Sequence, residues 1–205
     1  MAEDLTQDGN DLHQLAPMLD KAQEILQSEH LTGLADSGYY EGNQLKACEE
    51  KNITVYVAIP DKSQVLAEQG RFTRDEFNYD AEHDCYICPQ EQRLTRTGKP
   101  HKKNNNGLIR YQSKACDCRA CPLRAQCLTE PAKVKQIQRW EEEAVIERHR
   151  KRMQQNPGTM KQRAAPAEHP FGVLKQRAGM SHFLMRGLEK CRGEFSLMVL
   201  AYNLT

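Results

Sequence analysis

Apolar positions along the first 60 residues switch between two periods. Over residues 11–27, Leu12, Leu15, Leu19, Ala22 and Leu26 recur at helical spacing, with Asp11 placed to cap the start. The stretch HLTGLADSGYY reads as a short strand ending at a glycine turn, and EGNQLKACEEKN as a second helix. Residues 53–60, ITVYVAIP, are β-branched and aromatic, which predicts a buried strand closed by Pro60. Helix, strand, helix, strand is the order of an α/β domain with a parallel pair.

The pattern changes after residue 71. FTRDEFNYD, CYICP and QRLTR alternate over short runs and predict hairpin strands. Residues 98–107, GKPHKKNNNG, read as a polar basic loop, and residues 132–155 as a charged helix stopped by Asn156, Pro157 and Gly158. Two further helices are expected over 167–177 and 182–203, the second holding Phe183, Leu184, Leu188, Phe195, Leu197, Met198 and Leu200. No internal repeat of 20–50 residues is present.

Composition narrows the class. Leu, Ile, Val and Phe make up 38 of 205 residues, so the core is expected to be thin for this length. No run of about 18 apolar residues exists, which excludes a transmembrane helix, and the N-terminus lacks a basic region followed by an apolar run. A cytoplasmic location and no membrane partner are therefore expected. The net charge of +1 conceals an asymmetry: residues 1–89 carry 6 Lys/Arg against 18 Asp/Glu, and residues 90–205 carry 23 against 10. A C-terminal half at +13 suits a polyanion. The plainer reading is that solvated faces segregate by sign.

Six of the eight cysteines fall between positions 85 and 127. In a reducing compartment disulfides are not the default, and such clustering points to a metal. Cys118-Arg-Ala-Cys121 sets two thiolates across a tight turn, Cys127 follows, and Cys88 stands just before Pro89. Four thiolates in a tetrahedron close a structural zinc site. Cys85-x2-Cys88 with Cys118-x2-Cys121 is the ribbon-like alternative, and either set leaves two cysteines out. Half-buried thiols without metal are the plainer reading. A catalytic zinc has no support, since no His–Glu pair stands at ligand spacing and His149 and His169 are isolated.

Two acids are placed for chemistry. Asp36 is expected at the C-terminal end of a strand, before Ser37-Gly38, where α/β sheets present side chains to ligands. A turn residue capping the next helix is the simpler account. Glu168 opens a helix within Ala-Glu-His-Pro-Phe-Gly, and Lys175 stands seven residues on, on the same face. An ordinary first-turn Glu favoured by the helix dipole explains that position equally.

Taken together, LTQDGNDLHQLAPMLDKA, LADSGYYEG, YICP, CRACPLRAQC, AEHPFGVLK, FLMRGLEK and LAYNL, in this order, resemble the DDE transposases of bacterial insertion sequences. The closer likeness is to the subgroup with a cysteine-bearing insertion between the second and third acids. The resemblance implies a ribonuclease H-like core that binds two Mg²⁺ or Mn²⁺ ions through three carboxylates. By motif Asp36 is the second acid and Glu168 the third, with Lys175 facing DNA and Arg163 gripping the ends. The tyrosine usual before that arginine is absent, with Met160 and Lys161 there instead. The insertion's zinc ligands match Cys88, Cys118, Cys121 and Cys127, leaving Cys85 and Cys116 extra. The implied division is 1–71 as the first part of the core, 72–130 as the cysteine-rich insertion with β-hairpins, and 131–205 as a helical completion.

The first acid of this family lies on the first strand of a meander that precedes the helix near Asp11. Asp4 and Asp8 sit in polar sequence without a strand. The chain is thus read as a C-terminal portion, inactive alone, with the sheet edge beside residues 53–59 exposed. The implied partner is double-stranded DNA at insertion-sequence ends, gripped also by Lys102 and Lys103. The candidate assembly is a homodimer, and the location bacterial and nucleoid-associated. A zinc-stabilised DNA-binding module without enzymatic activity is the competing function.

Overall fold

A computed structural model describes residues 2–61, 63–103, 106–163, 169–170, 172–175 and 182–204, with the side chains of 102, 103, 106 and 163 excepted. In chain order the elements are helix α1 (Leu15–Leu26), strand β1 (Leu31–Ala35), α2 (Gly42–Glu50), β2 (Ile53–Val57) and α3 (Gln64–Glu68). Strands β3 (Asn78–Asp80), β4 (Cys85–Ile87), β5 (Arg93–Lys103) and β6 (Asn106–Gln112) follow, then α4 (Ala115–Arg119) and α5 (Arg124–Cys127). Strand β7 (Gln136–Trp140), α6 (Glu143–Gln155) and α7 (Leu188–Asn203) complete them. The chain divides into two units, Met1–Pro60 with Ala144–Thr205, and Asp61–Glu143.

In the first unit β1 and β2 pair in parallel, Leu31 opposite Ile53 through Ala35 opposite Val57. Ile53, Val55 and Val57 are each at most 2 % exposed. Burying each such side chain contributes roughly 1.5–3 kcal/mol, which is why this run forms the strand. Helix α1 starts at Leu15, past Asp11, whose backbone carbonyl accepts the Gln14 N–H in a turn at 3.1 Å, and no side chain caps the helix. Its orphan Ala16 N–H is met instead by Gln44 Oε1 of α2 at 2.9 Å.

The expected exposed edge beside residues 53–59 is corrected by helix α6. Ala58 N–H donates to the Ala35 carbonyl, so the carbonyls of Val55 and Val57 point away from β1. Arg152 Nη1 meets the first at 3.2 Å, and His149 Nε2 the second at 2.9 Å. Two side chains one helical turn apart thus satisfy acceptors that no strand among the described residues meets. Glu49 holds the same helix through Arg148 at 2.6 Å and Arg152 at 3.3 Å.

The second unit is a five-stranded antiparallel meander in the order β3-β4-β5-β6-β7. Its core is Phe77, Tyr86, Leu94, Tyr111 and Ile137. In the expected basic loop at 98–107, residues 98–103 and 106–107 are instead strand, with Lys102 opposite Gly107 and Lys103 opposite Asn106. Strand β5 continues to Lys103 across a register shift between Thr97 and His101, where Gly98 takes φ +70°. A side chain there would be strained, so glycine permits the kink that keeps the ladder going.

The expected helix over 132–155 is likewise split. Residues Gln136–Trp140 pair with β6, and the helix starts only at Glu143. Alternation of buried Ile137 and Arg139 with exposed Gln136 and Gln138 is satisfied by the ladder, which outweighs helical propensity. The stop at Asn156–Gly158 stands, since α6 ends at Gln155. The last helix begins at Leu188 rather than 182. Gly187 at φ +89° marks its start, and the Glu194 carboxylate accepts the N–H groups of Leu184 and Met185. Of the helix expected at 167–177, residues 169–170 and 172–175 are helical and the other five lie outside the described residues.

Candidate catalytic and cysteine sites

Asp36 follows the last residue of β1, at the C-terminal end of the parallel pair. Its Oδ1 accepts the Gly38 N–H at 2.9 Å and caps a short 3-10 turn over Ser37–Tyr39. The carboxylate thus caps a turn and stands half-exposed at a strand end. Beyond β2, Val57 is held by His149, whose ring lies 5.9 Å from that of Tyr40. His149 is 1 % exposed, and burial pushes its pKa down, with nearby Arg152 adding to the effect. Its Nδ1 has no hydrogen-bond partner among the described residues.

Glu168 lies outside the described residues. Lys175 is exposed and helical, following buried Leu174. Arg163 ends the 3-10 turn Thr159–Arg163, and Lys102 and Lys103 end β5; the side chains of all three lie outside the described residues. Asp4 and Asp8 sit outside any strand. Asp4 is 3.4 Å from Arg192, and Asp8 accepts from Gln14 at 2.6 Å.

In the second unit Cys88, Cys118, Cys121 and Cys127 line one cavity of about 30 Å³, with Ser113 and Lys135 in its wall. They reach it from the surroundings of three elements, β4, α4 and α5. Cys88 follows β4 in a tight turn, donating to the Gln92 carbonyl and accepting from Glu91 N–H. Cys118 stands on α4 with Sγ 3.0 Å from Ser113 Oγ. Cys121 precedes α5, accepting the Arg124 N–H, and Cys127 ends that helix. Burial raises the Cys127 thiol pKa; Lys135 opposes the rise, and Cys118, Cys88 and Cys121 add to it.

The other cysteines differ. Cys85 is buried in β4 opposite Thr95, and exposed Cys116 donates to Asp117. Cys48 is buried in α2, which pushes its thiol up to about 11. Among the described residues no three His, Cys, Asp or Glu side chains converge closely enough to hold a metal. No helix among them is long and apolar enough to cross a membrane.

The sequence shows His149 only as an isolated histidine and gives no reason to single out Lys135. A lone histidine in a charged helix and a lysine before a strand carry no local signal. Only packing against β2 and the cysteine cavity reveals them.

The family model of the transposase DDE domain matches residues 87–205, a span holding Cys88, Cys118, Cys121, Cys127, Glu168 and Lys175, with Asp36 upstream of it. No curated protein and no solved structure matches the chain. Because more than half of its length lies within that match, the chain belongs to the transposase DDE-domain family.

Proposed function

We propose that this chain supplies two of the three metal-holding carboxylates, Asp36 and Glu168, of a nuclease and strand-transfer site used in DNA transposition. The observation that carries the reading is the position of Asp36 at the C-terminal end of β1, in a chain of this family. A ribonuclease H-like core places further strands beside β1, and among the described residues no strand pairs with its other edge. A bound pair of Mg²⁺ or Mn²⁺ ions supplies the activation of the attacking oxygen and the stabilisation of the leaving one. Asp36 and Glu168 fit hard divalent cations through their carboxylates. Lys175, Arg163, Lys102 and Lys103 provide cations for the backbone of double-stranded insertion-sequence ends, with a homodimer as the proposed assembly.

Cys88, Cys118, Cys121 and Cys127 are proposed to hold a structural zinc ion. What supports this is that the four thiols, of the residue type zinc prefers, line one small cavity with Lys135 in its wall to balance thiolate charge.

A non-enzymatic zinc-stabilised DNA-binding module is the second reading. It is favoured by the engagement of Asp4 with Arg192 and of Asp8 with Gln14, which leaves no strand-borne first acid assigned. The test fuses this chain to the upstream strands of a family member and measures metal-dependent nicking of duplex DNA. Nicking lost on Glu168→Gln supports the enzyme. Zinc-bound, DNA-binding fusion without nicking supports the module.

A further inference from the structure

We propose that the outward face of β5, β6 and β7 is a docking surface for the phosphate backbone of double-stranded DNA. The proposal rests on the reading of this chain as a DNA-acting domain, and goes beyond it by naming the surface. Strand register lays two rows of side chains on that face: Thr95, Gln112 and Gln136 in one, and Thr97, Arg110 and Gln138 in the next. Arg93 lies two residues before Thr95 and shares the face. Leu94, Tyr111 and Ile137 occupy the alternate positions and form the core, so the rows point away from it.

The rows are polar throughout. Gln136 donates to Gln112 at 3.0 Å, and the Thr97 hydroxyl donates to the Arg110 carbonyl at 3.3 Å. Arg93, Thr95, Arg110, Gln136 and Gln138 are exposed.

Several arginines of this unit are already engaged. Arg96 pairs with Asp84, Arg74 with Glu143, and Arg139 covers the Tyr79 ring at 3.7 Å. Arg93 and Arg110 make no ion pair among the described residues, and residues 93–116 hold seven Lys/Arg and no Asp/Glu. Four residues of strand separate Arg93 from the Thr97–Arg110 row, about 13 Å, so the two guanidinium groups reach different phosphates.

The chemistry selects the ligand. Arginine, glutamine and threonine are side chains that hold phosphate oxygens and position a protein on a duplex. A single strand is gripped by exposed aromatic platforms, whereas Tyr86 and Tyr111 are buried on the opposite face. A protein partner calls for an aromatic or apolar centre, which these two rows lack.

The experiment measures binding of the full chain to a duplex of arbitrary sequence between 50 and 200 mM salt. Arg93→Gln and Arg110→Gln are each expected to reduce the slope of log K against log salt by about 0.9, one phosphate contact each. Gln138→Glu adds a negative charge at an exposed position without deleting a side chain, and is expected to weaken binding. Arg96→Gln makes the same change in net charge on the opposite face and is expected to leave the slope unchanged. Wild-type slopes in both arginine variants, with the wild type binding duplex, overturn the surface and leave the DNA-acting reading standing. Absence of salt-dependent duplex binding by the wild type overturns both. Tighter binding of single-stranded DNA or RNA, with slopes insensitive to Arg93 and Arg110, also overturns the surface.

Discussion

His149 Nε2 lies 2.9 Å from the carbonyl oxygen of Val57, and this contact joins α6 to the outer edge of β2. A carbonyl only accepts, so Nε2 carries the proton and Nδ1 is a bare lone pair in the neutral ring. One residue beyond Val57, Ala58 donates to Ala35, the residue before Asp36. The histidine thus stands two hydrogen bonds from the strand end that presents the acid.

Protonating His149 places a second donor and a charge in a buried site beside Arg152. Its pKa is accordingly held below the usual 6.5 by burial. Above 6.5 the ring is neutral in both folded and unfolded chains. As pH falls below 6.5 the unfolded chain takes up the proton first, so stability drops until the folded pKa is reached. The decline is expected at no more than about 1.4 kcal/mol per pH unit for this one proton. Denaturant midpoints at pH 7.5 and 5.5 measure it, and His149→Gln is expected to flatten that part of the profile. A variant with the wild-type acid slope would assign the slope elsewhere.

Tyr111 and Asp84 form a second testable pair. The Tyr111 hydroxyl donates to Asp84, joined by Tyr79 at 2.8 Å. That bond from Tyr111 leads the effects that hold the Asp84 carboxyl below its usual range, while burial and Asp84 push the phenol up. Tyr111→Phe is expected to cost about 1 kcal/mol and to move the Asp84 pKa upward. Urea denaturation and a carboxylate NMR titration check the two halves separately.

The cysteine cavity predicts one zinc ion per chain in protein purified without chelator. Cys121→Ser is expected to release the metal and unfold the segment around α4 and α5, since binding and local folding are coupled. Cys116→Ser, at an exposed thiol outside the cavity lining, is expected to keep full zinc content. Elemental analysis and hydrogen exchange give the answer, and metal-free wild-type protein would reject the site.

Asp36 both caps a turn and, in the proposed function, holds metal. Asp36→Asn retains an oxygen for the Gly38 N–H and removes the charge, so stability is expected to stay within about 0.5 kcal/mol. Asp36→Ala loses the cap as well and is expected to cost about 1 kcal/mol. In the fusion described above, both variants are expected to abolish nicking. The chain by itself is expected to give negligible nicking in Mg²⁺ or Mn²⁺, because a two-metal site needs an acid that bridges both ions. Strong nicking by the unfused chain would show that its carboxylates are assigned wrongly.

Local chemistry determined several features from sequence alone. The run Ile-Thr-Val-Tyr-Val has one stable use, a buried strand, and its parallel pairing with Leu31–Ala35 followed from the helix between them. Asp36 at the strand end was readable for the same reason. Tertiary structure decided the rest. Residues 136–140 suit a helix or a strand until β6 offers a ladder, and 98–107 reads as a loop until Gly98 lets β5 bend and continue. The six clustered cysteines cannot be sorted by spacing, yet four line one cavity because β4, α4 and α5 converge there, while Cys85 is buried in β4 opposite Thr95, outside the lining. From sequence alone, the edge beside residues 53–59 reads as exposed. Its carbonyls are met by His149 and Arg152 from a helix more than 90 residues away, a pairing no local pattern encodes.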